Sequence, residues 1–321
     1  MSGRAPARKS VEAPPPGSPW TVLQLVLWSA EYLAGKGIES SRLDAEYLLA
    51  GVLGLDRLQL YLQFERPLDA AELAAFKPLL LRRASREPLQ YIQGRMAFRG
   101  LELAVDTRAL IPRSETEELV DHVLEWLGPE GDDPGRRAGL TAVDLGTGTG
   151  AIALSLAVEA GFERIVATDA SEDALGLARE NGARLASIGL FDLDRLEFRH
   201  GDLFEPLGDR RYHVIVSNPP YVEAGQRDAL QPEVVDWEPE SALFAGADGF
   251  DVVRRIVGSA SRHLEEGGLL VVEIGADQGA AALELPAPGL VNLRVARDLT
   301  GRDRFLVGER ENQKPKGKPN G

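Results

Sequence analysis

Two short stretches of this 321-residue chain place unusual chemistry directly after apolar runs. The first is Asp144-Leu145-Gly146-Thr147-Gly148-Thr149-Gly150, which ends the run TAVDL and opens an apolar helical stretch. Glycines permit a tight turn and let main-chain N–H groups approach a ligand where any Cβ would collide. A second carboxylate, Asp169, ends the next apolar run, and from there it can accept both hydroxyls of a ribose. The spacing separates cofactor classes. A dinucleotide fingerprint is G-x-G-x-x-G facing a pyrophosphate, whereas here the spacing is G-x-G-x-G with Asp144 two positions ahead. That carboxylate repels a pyrophosphate and suits a positive group, which argues for S-adenosylmethionine, with its ammonium and its cationic sulfonium. No G-x-x-x-x-G-K-[ST] loop occurs, which argues against a nucleoside triphosphatase. The structural alternative is a Gly-rich turn whose strand-end aspartate only assists a cap.

The second stretch is Asn218-Pro219-Pro220-Tyr221, after the apolar run YHVIVS. Two prolines fix the backbone and carry no N–H, so the Pro219 carbonyl is free to accept from a ligand. The Asn218 side-chain oxygen is a second acceptor. Together they grip both hydrogens of a planar NH2 group and aim its nitrogen at a sulfonium methyl, while Tyr221 covers the planar group. Such a grip fits an amide or an exocyclic aromatic amine and needs no strong base before attack. Taken alone, the tetrapeptide is also a rigid turn. Asp202 and Leu203 end the intervening run and by position flank an adenine. Glu273 is a carboxylate either facing the cofactor or buried beside an arginine or a cap.

Composition narrows the chemistry further. With no cysteine there is no thiolate nucleophile and no Cys-ligated metal, and the 4 histidines form no ligand cluster, so no metal is expected. Lys+Arg 36 against Asp+Glu 50 gives 36 − 50 = −14, a field that repels bare nucleic acid, so no stable nucleic-acid binding is expected. The N-terminal residues lack the apolar segment of a signal peptide, and no apolar run reaches a membrane-spanning length of roughly eighteen residues. No membrane association and a cytoplasmic location are therefore expected.

The elements that must position these residues are of two kinds. Residues 20–90 carry helical spacing, with Leu23, Val26, Leu27 and Ala30 on one stripe and Leu43, Tyr47, Leu48 and Val52 on the next. Ser41 and Asp69 read as caps. Lys77, Arg82, Arg83 and Arg86 gather at the end of this helical domain, as a solvated helix end or a partner-facing patch. Residues 91–110 read as a linker or hairpin, and Ser114 with Glu117 as a capping box. Strand-like and helix-like segments then alternate through 111–309, which predicts a mainly parallel sheet with an antiparallel hairpin at one edge. The tails, 1–19 and the basic 310–321, read as disordered.

The blocks YIQGRMAFRGLELAVDTRALIPRSETEELV, VDLGTGTGAIALSLA, ATDAS, HGDLF, VSNPPY, DWEPESALFAGADG, LEEGGLLVVEIGADQG and DLTGRDRFLVG together resemble the protein-(glutamine-N5) methyltransferases of peptide chain release factors, over residues 20 to 310. The resemblance implies an α/β class I S-adenosylmethionine-dependent methyltransferase fold, with a seven-stranded, mainly parallel sheet and a small N-terminal all-helical domain. It also implies methylation of the glutamine amide in a Gly-Gly-Gln segment, with S-adenosylhomocysteine as the second product. Asp144, Gly146, Thr147, Gly148, Thr149, Gly150, Asp169, Asp202, Leu203 and Asn218 are then the cofactor site. Asn218, Pro219, Pro220 and Tyr221 bind the glutamine and carry the catalysis. The expected partner is a release factor, met through its Gly-Gly-Gln loop and through helical-domain contacts by a monomeric enzyme. Two positions depart from the family pattern: Leu203 replaces an aromatic found in some members, and Ser114 replaces a proline, predicting a less rigid loop between Arg113 and Glu115. An adenine-N6 methyltransferase uses the same amine grip, and a cofactor-binding module without transfer is a third reading.

Overall fold

The computed structural model describes residues 15, 18–128 and 139–312. The tail expectations for 1–19 and 310–321 fall almost entirely outside the described residues. The chain forms two compact units, one ending at Gly94 and including Pro232–Trp237, the other made of Arg95–Gln231 and the chain from Glu238 onward.

The first unit is helical: α1 (Val22–Ala34), α2 (Ser41–Leu53), α3 (Arg57–Leu62), α4 (Ala70–Ala84) and α5 (Leu89–Gln93). Capping boxes start three of them, Thr21 with Gln24, Asp56 with Gln59 and Asp69 with Glu72, each satisfying two otherwise orphaned N–H groups. Helix α2 differs from expectation, because Ser40 holds the cap position and Ser41 is already helical. Its buried stripe is also rotated: Ala45, Leu48 and Leu49 are buried while Leu43 and Tyr47 are exposed. The reason is ionic. Asp44 and Glu46 are buried on α2, Asp44 against Arg83 at 2.7 Å and Glu46 against Arg42, Arg57 and Tyr61. Helix α1 likewise buries Val22, Leu25, Val26, Ser29 and Leu33 rather than Leu23, Leu27 and Ala30.

The basic cluster on α4 is largely internal. Arg83 is only 5% exposed and pairs with Asp44 and Glu233, and Arg86 bonds the Gly37 carbonyl and Glu233. Arg82 is exposed but paired with Glu87, and Lys77 is exposed. A desolvated arginine requires such partners, so neither a solvated end nor a partner-facing patch describes Arg83.

The second unit opens with the antiparallel hairpin β1 (Arg95–Phe98) and β2 (Leu101–Ala104), then α6 (Ser114–Leu127). Ser114 is not a cap. Arg113 holds the cap position, Ser114 is the first helical residue, and Glu117 accepts the Arg99 N–H instead. After α6 come β3 (Thr141–Leu145), α7 (Ala151–Glu159), β4 (Arg164–Asp169), α8 (Glu172–Ser187), β5 (Leu196–His200) and β6 (Tyr212–Ser217). The short α9 (Pro232–Val235) belongs to the helical unit, and α10 (Asp251–His263), β7 (Leu264–Glu273), α11 (Gly279–Leu283), β8 (Leu290–Arg297) and β9 (Asp303–Arg310) complete the second.

The sheet order is β5-β4-β3-β6-β7-β9-β8, parallel except where β9 pairs with β7 and β8. One face packs Leu119, Val123, Leu154 and Leu156, the other Val253, Ile256, Val257 and Ile274, so the central strands are apolar on both sides. Strands β4 and β6 leave β3 in opposite directions, and such a switch point opens a crevice at the carboxyl ends. Register places the two motifs at that crevice, since Leu145 pairs with Ser217 and the Ser217 hydroxyl donates to the Leu145 carbonyl at 2.7 Å. Gly146 and Asn218 therefore leave the sheet side by side.

Candidate active site

The Gly loop turns through three left-handed residues, Gly146, Gly148 and Gly150 at φ 71°, 57° and 85°. They serve two purposes. A Cβ on Gly150 would lie 2.9 Å from Leu154 Cδ1, so this glycine lets α7 pack. A Cβ on Gly146 would meet no protein atom within 4 Å, and on Gly148 only Ala109 at 4.0 Å. Those two glycines border a cavity of about 320 Å³ that a side chain would enter.

Asp169 reaches across to the loop, accepting the Gly148 N–H at 2.9 Å and the Ser171 N–H at 2.8 Å. It thus braces the Gly loop and the turn after β4, and its oxygens still keep lone pairs for hydroxyl donors from the cavity it lines. Burial pushes its carboxyl above the usual range, partly offset by these backbone bonds. Asp144 differs from the sequence expectation. It is fully buried, does not line the cavity, and accepts from Thr147 Oγ1 and the Ala153 N–H, while its Oδ1 has no hydrogen-bond partner. Desolvation raises it to about 7. Asp144 supports the loop from behind instead of meeting an ammonium directly.

Asn181 is a contributor that the sequence reading missed. It is fully buried on α8, accepts the Ala104 N–H at 2.7 Å, and donates to the carbonyls of Ala104 and Thr149, each at 3.0 Å. It ties β2 to the Gly loop. A lone asparagine in a helical stretch gives no sequence signal for this, because its partners are set by tertiary packing.

Asp202 and Leu203 both line the cavity. Asp202 is ion-paired with Arg255 at 2.6 Å, and Leu203 sits at φ 50°, a conformation that costs an ordinary side chain energy. Its carbonyl accepts from Thr168 Oγ1.

Of the tetrapeptide, Asn218 and Pro220 line the cavity, while Pro219 is buried and Tyr221 turns away. The Tyr221 hydroxyl approaches Glu273 Oε1 at 3.4 Å, so its ring does not form the expected cover. Burial lifts this phenol to about 12. The Tyr221 carbonyl accepts from Gln278 Nε2, and a Cβ on Gly249 would lie 2.4 Å from that oxygen, which clamps the end of the turn. Asn218 donates Nδ2 to Thr116 Oγ1 at 2.9 Å, leaving Oδ1 as an acceptor. Among the described residues Glu273 makes no arginine bond and caps no helix; it accepts from Thr116 and from the Tyr221 hydroxyl. Ser114 occupies the first helical position, where proline is favoured, and Arg113 is pinned by two bonds to the buried Glu238. The ion pair anchors the residue that precedes the helix.

The cleft fits a nucleoside cofactor with a positive centre: two glycines keep the loop side open, Asp169 offers lone pairs, and Leu203 and Val252 give apolar cover. A switch-point cleft lined by a G-x-G-x-G loop, a strand-end acid and an Asn-Pro-Pro-Tyr turn defines a class I S-adenosylmethionine-dependent methyltransferase. Comparison with known proteins agrees. The family described as PrmC N-terminal domain matches residues 24–94, and Methyltransferase small domain matches residues 134–236. The Release factor glutamine methyltransferase of Geobacter sulfurreducens is 42% identical over 293 residues, 90% of this chain and 96% of that protein. Its counterpart in Chlorobaculum tepidum is 38% identical over 291 residues, 89% and 96% of the two chains. This chain belongs to the release factor glutamine methyltransferase family. The solved hMettl16 catalytic domain in complex with MAT2A 3'UTR hairpin 6 is 19% identical, with TM-score 0.50 over 78% of this chain and 94% of that one, and shows the fold alone.

Proposed function

We propose that the protein transfers a methyl group from S-adenosylmethionine to the side-chain amide N5 of the glutamine in the Gly-Gly-Gln segment of peptide chain release factors. The observation that carries this reading is the Asn218 amide, whose Nδ2 is held by Thr116 so that Oδ1 is an acceptor at the cavity wall. The cofactor supplies an electrophilic methyl on a cationic sulfur. Asn218 Oδ1 and the Pro219 carbonyl accept the two amide hydrogens and hold the nitrogen in line. The new N–C bond forms as the S–C bond breaks, positive charge passes from sulfur to nitrogen, and the nitrogen then loses one proton. Acceptor dipoles facing that charge, with alignment, supply the rate enhancement. Gly146, Gly148, Asp169, Asp202 and Leu203 hold the cofactor, with Thr147, Thr149 and Gly150 shaping the loop and Asp144 supporting it.

The reading extends to a monomeric, cytoplasmic enzyme with a folded protein as substrate, to which the net charge of −14 is better suited than to a duplex. Among the basic residues of α4, Lys77 and Arg82 remain exposed for contact with that substrate. Incubation with labelled cofactor and a purified release factor, followed by mass mapping, tests it. Methylation of the Gly-Gly-Gln glutamine is expected. No label there, with efficient transfer to oligonucleotides, would establish the adenine-N6 reading instead.

A further inference from the structure

Behind the Asn-Pro-Pro-Tyr turn lies a chain of buried hydrogen bonds. Asn218 Nδ2 donates to Thr116 Oγ1 at 2.9 Å, Thr116 Oγ1 donates to Glu273 Oε2 at 2.7 Å, and the Tyr221 hydroxyl approaches Glu273 Oε1 at 3.4 Å. Thr116 is 4% exposed and Glu273 1%, so the bond between them is shielded from water, while Asn218 stands at the cavity wall. An ionised carboxylate only accepts, and a threonine hydroxyl has one hydrogen. Once that hydrogen is given to Glu273, the Thr116 oxygen only accepts, and Asn218 must present its NH2 group to it. A reversed amide would set two oxygens against each other with no proton between them.

We propose that Thr116 and Glu273 are positioning residues that fix the amide orientation of Asn218, so that its oxygen rather than its NH2 group meets the reacting nitrogen. The inference rests on the methyltransferase reading above, yet concerns Asn218 whichever planar amine is methylated. Hydrogen bonds in such a chain polarise one another, so the buried carboxylate also strengthens the Asn218 oxygen as an acceptor. Protonation of Glu273 would make it a donor to Thr116, free the Thr116 hydrogen, and let the amide reverse. The groups facing Glu273 are Thr116 and Glu115 from α6, Tyr221 from the turn and Arg304 from β9; burial outweighs Arg304 and lifts the carboxyl to about 7.

Three variants and one resonance test this. Thr116→Val is expected to lower kcat roughly tenfold or more, the worth of about one hydrogen bond, with cofactor affinity within about twofold. Thr116→Ser restores most of that rate. Wild-type kcat is expected to fall on the acid side of neutral pH, and Glu273→Gln to flatten that limb. Rates are measured on release factor glutamine and on adenine oligonucleotides, so a failure of the glutamine reading leaves this one tested. The Asn218 side-chain amide resonances, assigned by their loss in Asn218→Asp, require no substrate and should shift in Thr116→Val but not in Thr116→Ser. Unshifted resonances with wild-type kcat in Thr116→Val would overturn the proposal, and an intact acid limb in Glu273→Gln would remove Glu273 from it.

Discussion

Arg83 and Glu233 stand 150 positions apart in the chain and meet in a 2.8 Å ion pair inside the helical unit. The pair draws α9 out of the stretch of chain between the Asn-Pro-Pro-Tyr turn and Glu238 and into the company of α2 and α4. Arg83 also holds the buried Asp44, so its removal strands one carboxylate in a dry interior. Arg83→Ala should cost about 3–5 kcal/mol, whereas Arg95→Ala, breaking the exposed pair with Glu102, should cost less than about 1 kcal/mol. Urea denaturation of both variants decides this, and equal losses would contradict the assignment.

Asp169 and Asn218 should separate binding from turnover. Asp169→Ala removes the acceptor of the Gly148 N–H together with the proposed ribose acceptor, and cofactor affinity should fall roughly tenfold or more. Asn218→Ala removes half of the amine grip, and kcat should fall on the order of a hundredfold while cofactor affinity holds within a few-fold. Calorimetry with initial rates on each variant tells the two apart; an unchanged rate for Asn218→Ala would refute its role.

Asn181→Ala deletes three buried hydrogen bonds and leaves the Ala104 and Thr149 carbonyls and the Ala104 N–H without this partner. A loss of about 2–4 kcal/mol in stability is expected, with weaker cofactor binding because the Gly loop loses its tie to β2. Denaturation and cofactor titration measure both. Lost stability with unchanged affinity would limit Asn181 to folding.

Asp144 makes stability depend on pH with a definite sign. Its carboxyl is raised from 3.8 to about 7 in the folded protein, so between those values the folded state keeps a proton that the unfolded state has released. Its contribution to stability therefore falls as pH rises through that window, by on the order of 2 kcal/mol over two pH units at most. Asp144→Asn cannot titrate, and its stability relative to wild type should rise from pH 5 to pH 7. Parallel stability curves for the two proteins would rule out the shift.

The alternation of apolar runs from Thr141 to Glu309 was legible because each central strand is buried on both faces and most loops carry glycine or proline at a forced backbone position, while Arg310, read as tail, ends the last strand. The Gly loop, Asp169 and the Asn-Pro-Pro-Tyr turn were legible for the same local reason, since their geometry is written into residue types a few positions apart. Helical stripes were read less well. The spacing on α2 counts apolar residues, but its rotation is set by Asp44 and Glu46, which pair with Arg83 and Arg57 from other helices as well as with Arg42 on α2 itself. The caps at Ser41 and Ser114 failed by one residue because nearby carboxylates take the hydroxyls, Asp44 that of Ser40 and Glu115 that of Ser114, leaving no side-chain cap.

By itself, then, the sequence determined the fold class, the Gly-rich loop and the Asn-Pro-Pro-Tyr turn, all properties of short segments. Only the tertiary structure decided which polar groups face the cavity and which support it. It withdrew Asp144 and Tyr221 from the cleft wall, turned Arg83 and Arg86 to partners within the helical unit while Lys77 and Arg82 stayed exposed, and joined Thr116, Asn181 and Glu273 to the site. A hydrogen-bond donor and its acceptor here lie 102 positions apart for Asn218 and Thr116, and 157 for Thr116 and Glu273. No local pattern encodes such a pairing, because it exists only after the strands have set their register.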